Sequence, residues 1–84
     1  MSRGAHILVV EDEQHLATGI KYNLDAEGYR VTIGGDGPSA LEAIEEKPGE
    51  FDLVVLDLML PGMSGYAVCE TLRSGNNDIP VLIL

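Results

Sequence analysis

Apolar and polar residues follow two different patterns along this chain. Apolar runs at 7–10, 53–56 and 79–84 are typical of strands that are buried on both faces of a sheet. The run 29–33 alternates apolar and polar residues, as a half-exposed strand does. The pattern therefore predicts four strands, of which the first and third are the most apolar.

Three segments between these strands have the spacing of amphipathic helices. Their apolar positions are Leu16, Ile20 and Leu24 in the first, Ala40, Leu41 and Ile44 in the second, and Tyr66, Ala67, Val68, Cys69 and Leu72 in the third. The first helix is expected to begin at Asp12 or Glu13 and to end at Gly28. The second is expected to begin at Asp36-Gly37-Pro38 and to end at Pro48-Gly49. The third is expected to begin at Ser64 and to end near Arg73.

The alternation of strand and helix implies a parallel sheet with right-handed crossovers, and so a flavodoxin-like α/β fold. The apolar first and third strands belong in the middle and the polar second strand at an edge, which gives the strand order 2-1-3-4. The winding direction reverses between strands 1 and 3. Ligands of open parallel sheets bind beside such a switch point, at the carboxyl ends of the strands.

Charge and composition restrict the classes of partner. The 84 residues carry a net charge of −9 with five Lys and Arg, so we expect no direct nucleic-acid binding by this segment. Cys69 is the one cysteine, which excludes an intrachain disulfide and fits a reducing compartment. The sequence shows neither a signal peptide nor a membrane span. We therefore predict a cytoplasmic protein.

Acidic residues follow both central strands. Glu11, Asp12 and Glu13 come directly after the first, and Asp57 comes directly after the third, before a turn containing Pro61-Gly62. Carboxylates gathered in this way repel each other unless a cation lies among them, and Mg²⁺ prefers oxygen ligands of this kind. An aspartate beside such an ion is also a possible covalent nucleophile for a phosphoryl group. The pattern predicts a Mg²⁺ site in which Asp57 accepts phosphate.

The segments that carry these features resemble the receiver domain of two-component response regulators, in the branch whose receivers precede a winged-helix DNA-binding domain. They are Ile7 to Glu13, Asp36-Gly37 with Ala40-Leu41, Asp57 to Gly65, and Ile79 to Leu84. The resemblance implies that Asp57 is the phosphoacceptor for a sensor histidine kinase. It also implies that Asp12 and Asp57 bind Mg²⁺ directly, with the Met59 backbone carbonyl as a further ligand and Glu11 acting directly or through water.

A complete receiver of this family has five strands and five helices. By the resemblance, residues 1–84 are the N-terminal portion of one receiver domain that is truncated after the fourth strand. The fifth strand with its lysine, the hydroxyl residue after the fourth strand and the last two helices are missing. We therefore expect impaired phosphorylation and an exposed apolar fourth strand that favours self-association.

Three other functions compete with this interpretation. We expect no enzyme, because an aspartyl phosphatase of the haloacid-dehalogenase type needs a second acid where Met59 stands. A flavin-binding domain is disfavoured because acids at the first strand-helix turn repel phosphate. An interaction fragment that self-associates without phosphotransfer stays open. His6 and His15 lie outside the acidic motif and are expected at the surface.

Overall fold

Residues 4–84 are described by a computed structural model, in which strands and helices alternate. The strands are β1 (His6–Val10), β2 (Arg30–Gly34), β3 (Leu53–Leu56) and β4 (Val81–Ile83). The helices are α1 (Gln14–Ala26), α2 (Gly37–Glu46) and α3 (Gly65–Ser74). None of these helices is long and apolar enough to span a bilayer.

The four strands form one parallel sheet in the order β2-β1-β3-β4, which confirms the predicted topology. The register pairs Val10 with Gly34 on one side and with Leu56 on the other, so three strands end at the same level. Strands β1 and β3 are central because their side chains are almost wholly buried. The acids that follow these two strands consequently meet at one edge of the sheet.

Helices cover both faces of the sheet and bury a separate apolar cluster on each. On one face, α2 and α3 pack over a core that includes Leu8, Val54 and Leu56. On the other face, Ile20 and Leu24 of α1 pack against a smaller cluster around Ile7, Val9 and Val55. Leu16, which the helical spacing also placed on the apolar stripe, is 57% exposed and lies outside both clusters.

Side-chain caps begin all three helices near the predicted positions. Glu13, Asp36 and Ser64 are the N-caps, and each carboxylate or hydroxyl accepts hydrogen bonds from backbone N–H groups of the following turn. The first helix had two candidate starts, Asp12 or Glu13, and the structure selects Glu13.

Two strand boundaries differ from the prediction. The second strand begins at Arg30 instead of Tyr29, because the Tyr29 N–H still donates to the Leu24 carbonyl at the end of α1. The fourth strand covers 81–83 instead of 79–84. The Ile79 N–H donates to the side chain of Asn77, and Pro80 has no N–H, so the backbone of this segment pairs with β3 as a strand only from Val81 onward.

Candidate functional site

The ends of β1 and β3 place two acidic segments side by side. The Asp57 N–H donates to the Val10 carbonyl at 3.0 Å, and the Glu11 N–H donates to the Gly34 carbonyl at 3.1 Å. These bonds continue the sheet ladder by one residue beyond the strands. The backbone at Glu11 and Asp57 is therefore fixed by the sheet itself.

Three carboxylates gather at this edge. Ligand oxygens of Glu11, Asp12 and Asp57 all lie within 4.8 Å of one another. Glu11 is buried, Asp57 is half-buried and Asp12 is exposed, so the cluster opens to solvent on one side. An ion could enter from that side and contact all three residues.

The electrostatics of the cluster favour a cation. Burial raises the pKa of Glu11, and the nearby Asp57 carboxylate raises it further, against a lowering by the Glu13 N–H. That N–H donates to Glu11 Oε2 at 3.0 Å. The ion pairs among residues 4–84 involve none of the three clustered carboxylates. The negative charge of the cluster thus has no cationic side chain as a direct partner in the described part of the chain.

The loop after β3 holds the Asp57 side chain in place. The Met59 N–H donates to Asp57 Oδ1 at 3.1 Å, so one carboxylate oxygen is bound to the backbone. The Met59 side chain is 81% exposed beside it. Gly62, with φ of +74°, provides the left-handed conformation that the turn requires. The loop leaves Asp57 half-buried and oriented at the edge of the sheet.

Helix α3 begins against the backbone of this loop. The Gly65 N–H donates to the Leu58 carbonyl at 2.9 Å. A Cβ on Gly65 would lie 2.7 Å from the Asp57 carbonyl oxygen and 3.0 Å from Leu58 Cα, so a larger residue would displace the backbone. This close approach of α3 fixes the loop from the far side.

The donor set suits Mg²⁺. Each ligand is a hard oxygen, and Mg²⁺ is typically bound by one or two carboxylates while it keeps several waters. Glu11, Asp12 and Asp57 would hold the ion, which would neutralise the cluster and an incoming phosphoryl group. The role of the Met59 carbonyl as a further ligand stays a prediction.

Two other expectations concern residues outside the cluster. Glu13 is the N-cap of α1, one of the two predicted starts of that helix, and its side chain accepts a hydrogen bond from the Leu16 N–H at 3.0 Å. The surface assignment of His6 is wrong. Its half-buried ring links β2 to the segment that precedes β3. The ring Nδ1 lies 2.8 Å from Glu50 Oε2, and Nε2 lies 2.7 Å from Thr32 Oγ1. No local pattern reveals these contacts, because the partners are distant in sequence.

Known proteins with similar sequences include two bacterial regulators. The RegX3 sensory transduction protein of Mycolicibacterium smegmatis is 47% identical over 78 residues, which are 93% of this chain and 33% of that protein. The alkaline phosphatase synthesis transcriptional regulatory protein PhoP of Bacillus subtilis is 47% identical over 79 residues, 93% of this chain and 32% of the relative. The chain thus spans about a third of the length of these curated relatives.

Solved receiver structures have the same fold. The receiver domain of Francisella response regulator 1452 superposes with a TM-score of 0.89 at 31% identity, over 95% of this chain and 64% of that one. The response regulator TrrA of Thermotoga maritima, solved in complex with Mg²⁺-BeF, superposes with a TM-score of 0.82 at 35% identity, over 94% and 65% of the two chains. The sequence matches the response regulator receiver domain over residues 7–84. The chain therefore belongs to the response regulator receiver domain family.

Proposed function

We propose that Asp57 accepts a phosphoryl group from a phosphohistidine of a sensor histidine kinase, with Mg²⁺ held by Glu11, Asp12 and Asp57. The observation that carries the proposal is the convergence of the three carboxylates within 4.8 Å at the sheet edge. The complex of the similar TrrA with Mg²⁺-BeF supports the same chemistry.

The transfer forms one bond and breaks one. An oxygen of Asp57 attacks phosphorus while the bond from phosphorus to the histidine nitrogen of the donor breaks, and the imidazole leaves. Because phosphoryl transfer depends mainly on positioning and charge neutralisation, the fixed backbone at Asp57 and the cation are the main requirements. In this step the chain is a phosphoacceptor and not an enzyme that acts on a separate substrate.

Metal binding is tested by titrating the isotope-labelled chain with MgCl₂ and recording amide NMR spectra. We expect saturable shifts concentrated at residues 10–13 and 57–59. Asp12→Asn is expected to weaken binding strongly, whereas Glu42→Gln, which removes an exposed acid on α2, is the matched control. Shifts that are spread evenly over the acidic surface would contradict a defined site.

Phosphate acceptance is tested separately with acetyl phosphate and intact-mass measurement. We expect addition of one phosphoryl group only when Mg²⁺ is present. The extent of addition is expected to be low, because no Lys or Arg side chain within residues 4–84 forms an ion pair with the cluster. Asp57→Asn is expected to show no addition. Equal addition to this variant, or addition in excess EDTA, would refute the assignment of Asp57.

The wider role of the protein is also part of the proposal. The relatives named above are a sensory transduction protein and a transcriptional regulatory protein. We infer that phosphorylation of this receiver, in the cytoplasm, controls a DNA-binding output domain. The segment itself has a net charge of −9, which disfavours direct contact with nucleic acid.

A second candidate function is self-association without phosphotransfer. It draws on the apolar edge formed by β4, where Leu82 is 52% exposed and Leu84 is 61% exposed. Light scattering after gel filtration over a concentration series tests it against the monomer mass of 9.0 kDa. A species that stays monomeric at every concentration would exclude this candidate and leave the phosphoacceptor proposal intact.

A further inference from the structure

We propose that an open groove at the opposite end of the sheet from the acid cluster binds a small amphipathic organic cation. The groove lies between the C-terminal ends of α2 and α3 and the segments that lead into β3 and β4. Its volume is about 860 Å³. Ligand pockets in proteins typically have volumes of about 300–1,000 Å³, so this groove could hold a small molecule.

The floor of the groove is apolar. Ile44, Leu72 and Ile79 form its buried part, and Leu41 and Phe51 pack half-buried beside them. These side chains belong to the larger core cluster of the protein, so the floor is set by the packing of α2 and α3 on the sheet. An alkyl or aromatic group would be desolvated on this floor without any rearrangement of the core.

The rim of the groove is acidic, and this decides the charge of the ligand. Glu45, Asp52 and Asp78 line it with three carboxylates against the single ammonium of Lys47. A second copy of this chain, itself with a net charge of −9, would be repelled by this rim. A cation with an apolar body matches both the rim and the floor.

The loop beside the groove is held in shape by its own hydrogen bonds. An Arg73 Nη1 group donates to the carbonyls of Asn77 and Ile79 at 2.9 and 2.8 Å. The Asn77 side chain accepts from the Ile79 N–H at 3.0 Å. Asn76 takes a left-handed conformation with φ of +62°. The groove is thus preformed, which lowers the entropic cost of binding.

Three probes of equal alkyl length separate the contributions of charge and apolar contact. The isotope-labelled chain is titrated with octylammonium, octyl glucoside and octyl sulfate below their micellar concentrations, and amide NMR shifts are followed. We expect saturable shifts at groove residues for octylammonium. Because the rim carries two net negative charges, octylammonium is expected to bind about fivefold more tightly than the neutral probe. Equal affinity for all three probes, or octylammonium shifts concentrated at Glu11 and Asp57, would overturn the proposal.

Variants of the rim and of the opening complete the test. The double substitution Glu45→Gln with Asp78→Asn is expected to lower octylammonium affinity to that of octyl glucoside and to leave the neutral probe unchanged. Thr71→Arg, at an exposed position that lines the groove, is expected to reduce binding of octylammonium severalfold. Glu27→Gln removes an exposed acid at the end of α1 and is the control. Unchanged octylammonium binding in the rim variant would refute the role of charge.

Discussion

Replacing Asp57 with asparagine is expected to stabilise the metal-free chain. The clustered carboxylate oxygens lie within 4.8 Å, where two negative charges repel by about 0.9 kcal/mol at the dielectric constant of water and about 3.5 kcal/mol at an effective value of 20. The substitution removes two such pairs, those with Glu11 and Asp12. Asparagine keeps the shape of the side chain and an oxygen that accepts from the Met59 N–H. Because the cluster is partly exposed, we expect a gain of about 1–2 kcal/mol in unfolding free energy.

Thermal unfolding followed by circular dichroism in EDTA at low ionic strength measures this gain. For a domain of this size it corresponds to a rise in Tm of roughly 4 °C or more. Addition of MgCl₂ is expected to raise the Tm of the wild-type chain and to leave that of Asp57→Asn almost unchanged. Glu42→Gln is the control, since it removes one charge at an exposed position that forms no ion pair among residues 4–84. Equal stability of the two variants in EDTA, or equal stabilisation of all three proteins by Mg²⁺, would refute the repulsion among the three carboxylates.

Three further predictions concern the stability of the scaffold. Gly65→Ala is expected to cost about 1–3 kcal/mol in unfolding free energy, because its Cβ would lie 2.7 Å from the Asp57 carbonyl oxygen; a neutral effect in urea unfolding would contradict the close approach. Ser64→Ala is expected to cost about 1 kcal/mol through loss of the α3 cap, whereas Ser64→Asp should retain most of that stability in the same assay. The hydrogen bond from His6 lowers the pKa of Glu50 from its ordinary value of 4.5. The ionised Glu50 side chain therefore stabilises the fold above pH 4.5, and this stabilisation is lost as the pH falls through the lower pKa of the folded state. The stability difference between wild type and Glu50→Gln should therefore shrink below about pH 4.5, and a difference that grows there would refute the pairing.

The sequence was sufficient to predict features that depend on local or periodic patterns. The apolar runs identified β1 and β3 as central strands, and the acids that follow them were brought together by the parallel topology. The caps Asp36 and Ser64 were predictable because a capping side chain bonds to N–H groups only two or three residues away.

Features that depend on distant partners could not be read from the sequence. His6 pairs with Thr32 and Glu50, which are 26 and 44 residues away, and no spacing rule connects them. The shift of β2 by one residue depends on the bond that Tyr29 keeps with the end of α1. Likewise, the burial of Glu11 follows from how the sheet edge packs and not from its neighbours in the chain.

The pairing of Val10 with Leu56 has a consequence for how the chain acquires its site. These residues are 46 positions apart, and α1, β2 and α2 lie between them. Closing so large a loop costs entropy before any contact repays it, and parallel pairings of this kind form slowly. A chain in which β1 and β3 have not yet paired holds Asp57 away from Glu11 and lacks the assembled carboxylate cluster. The appearance of Mg²⁺ affinity during refolding would therefore mark the moment at which the two central strands join.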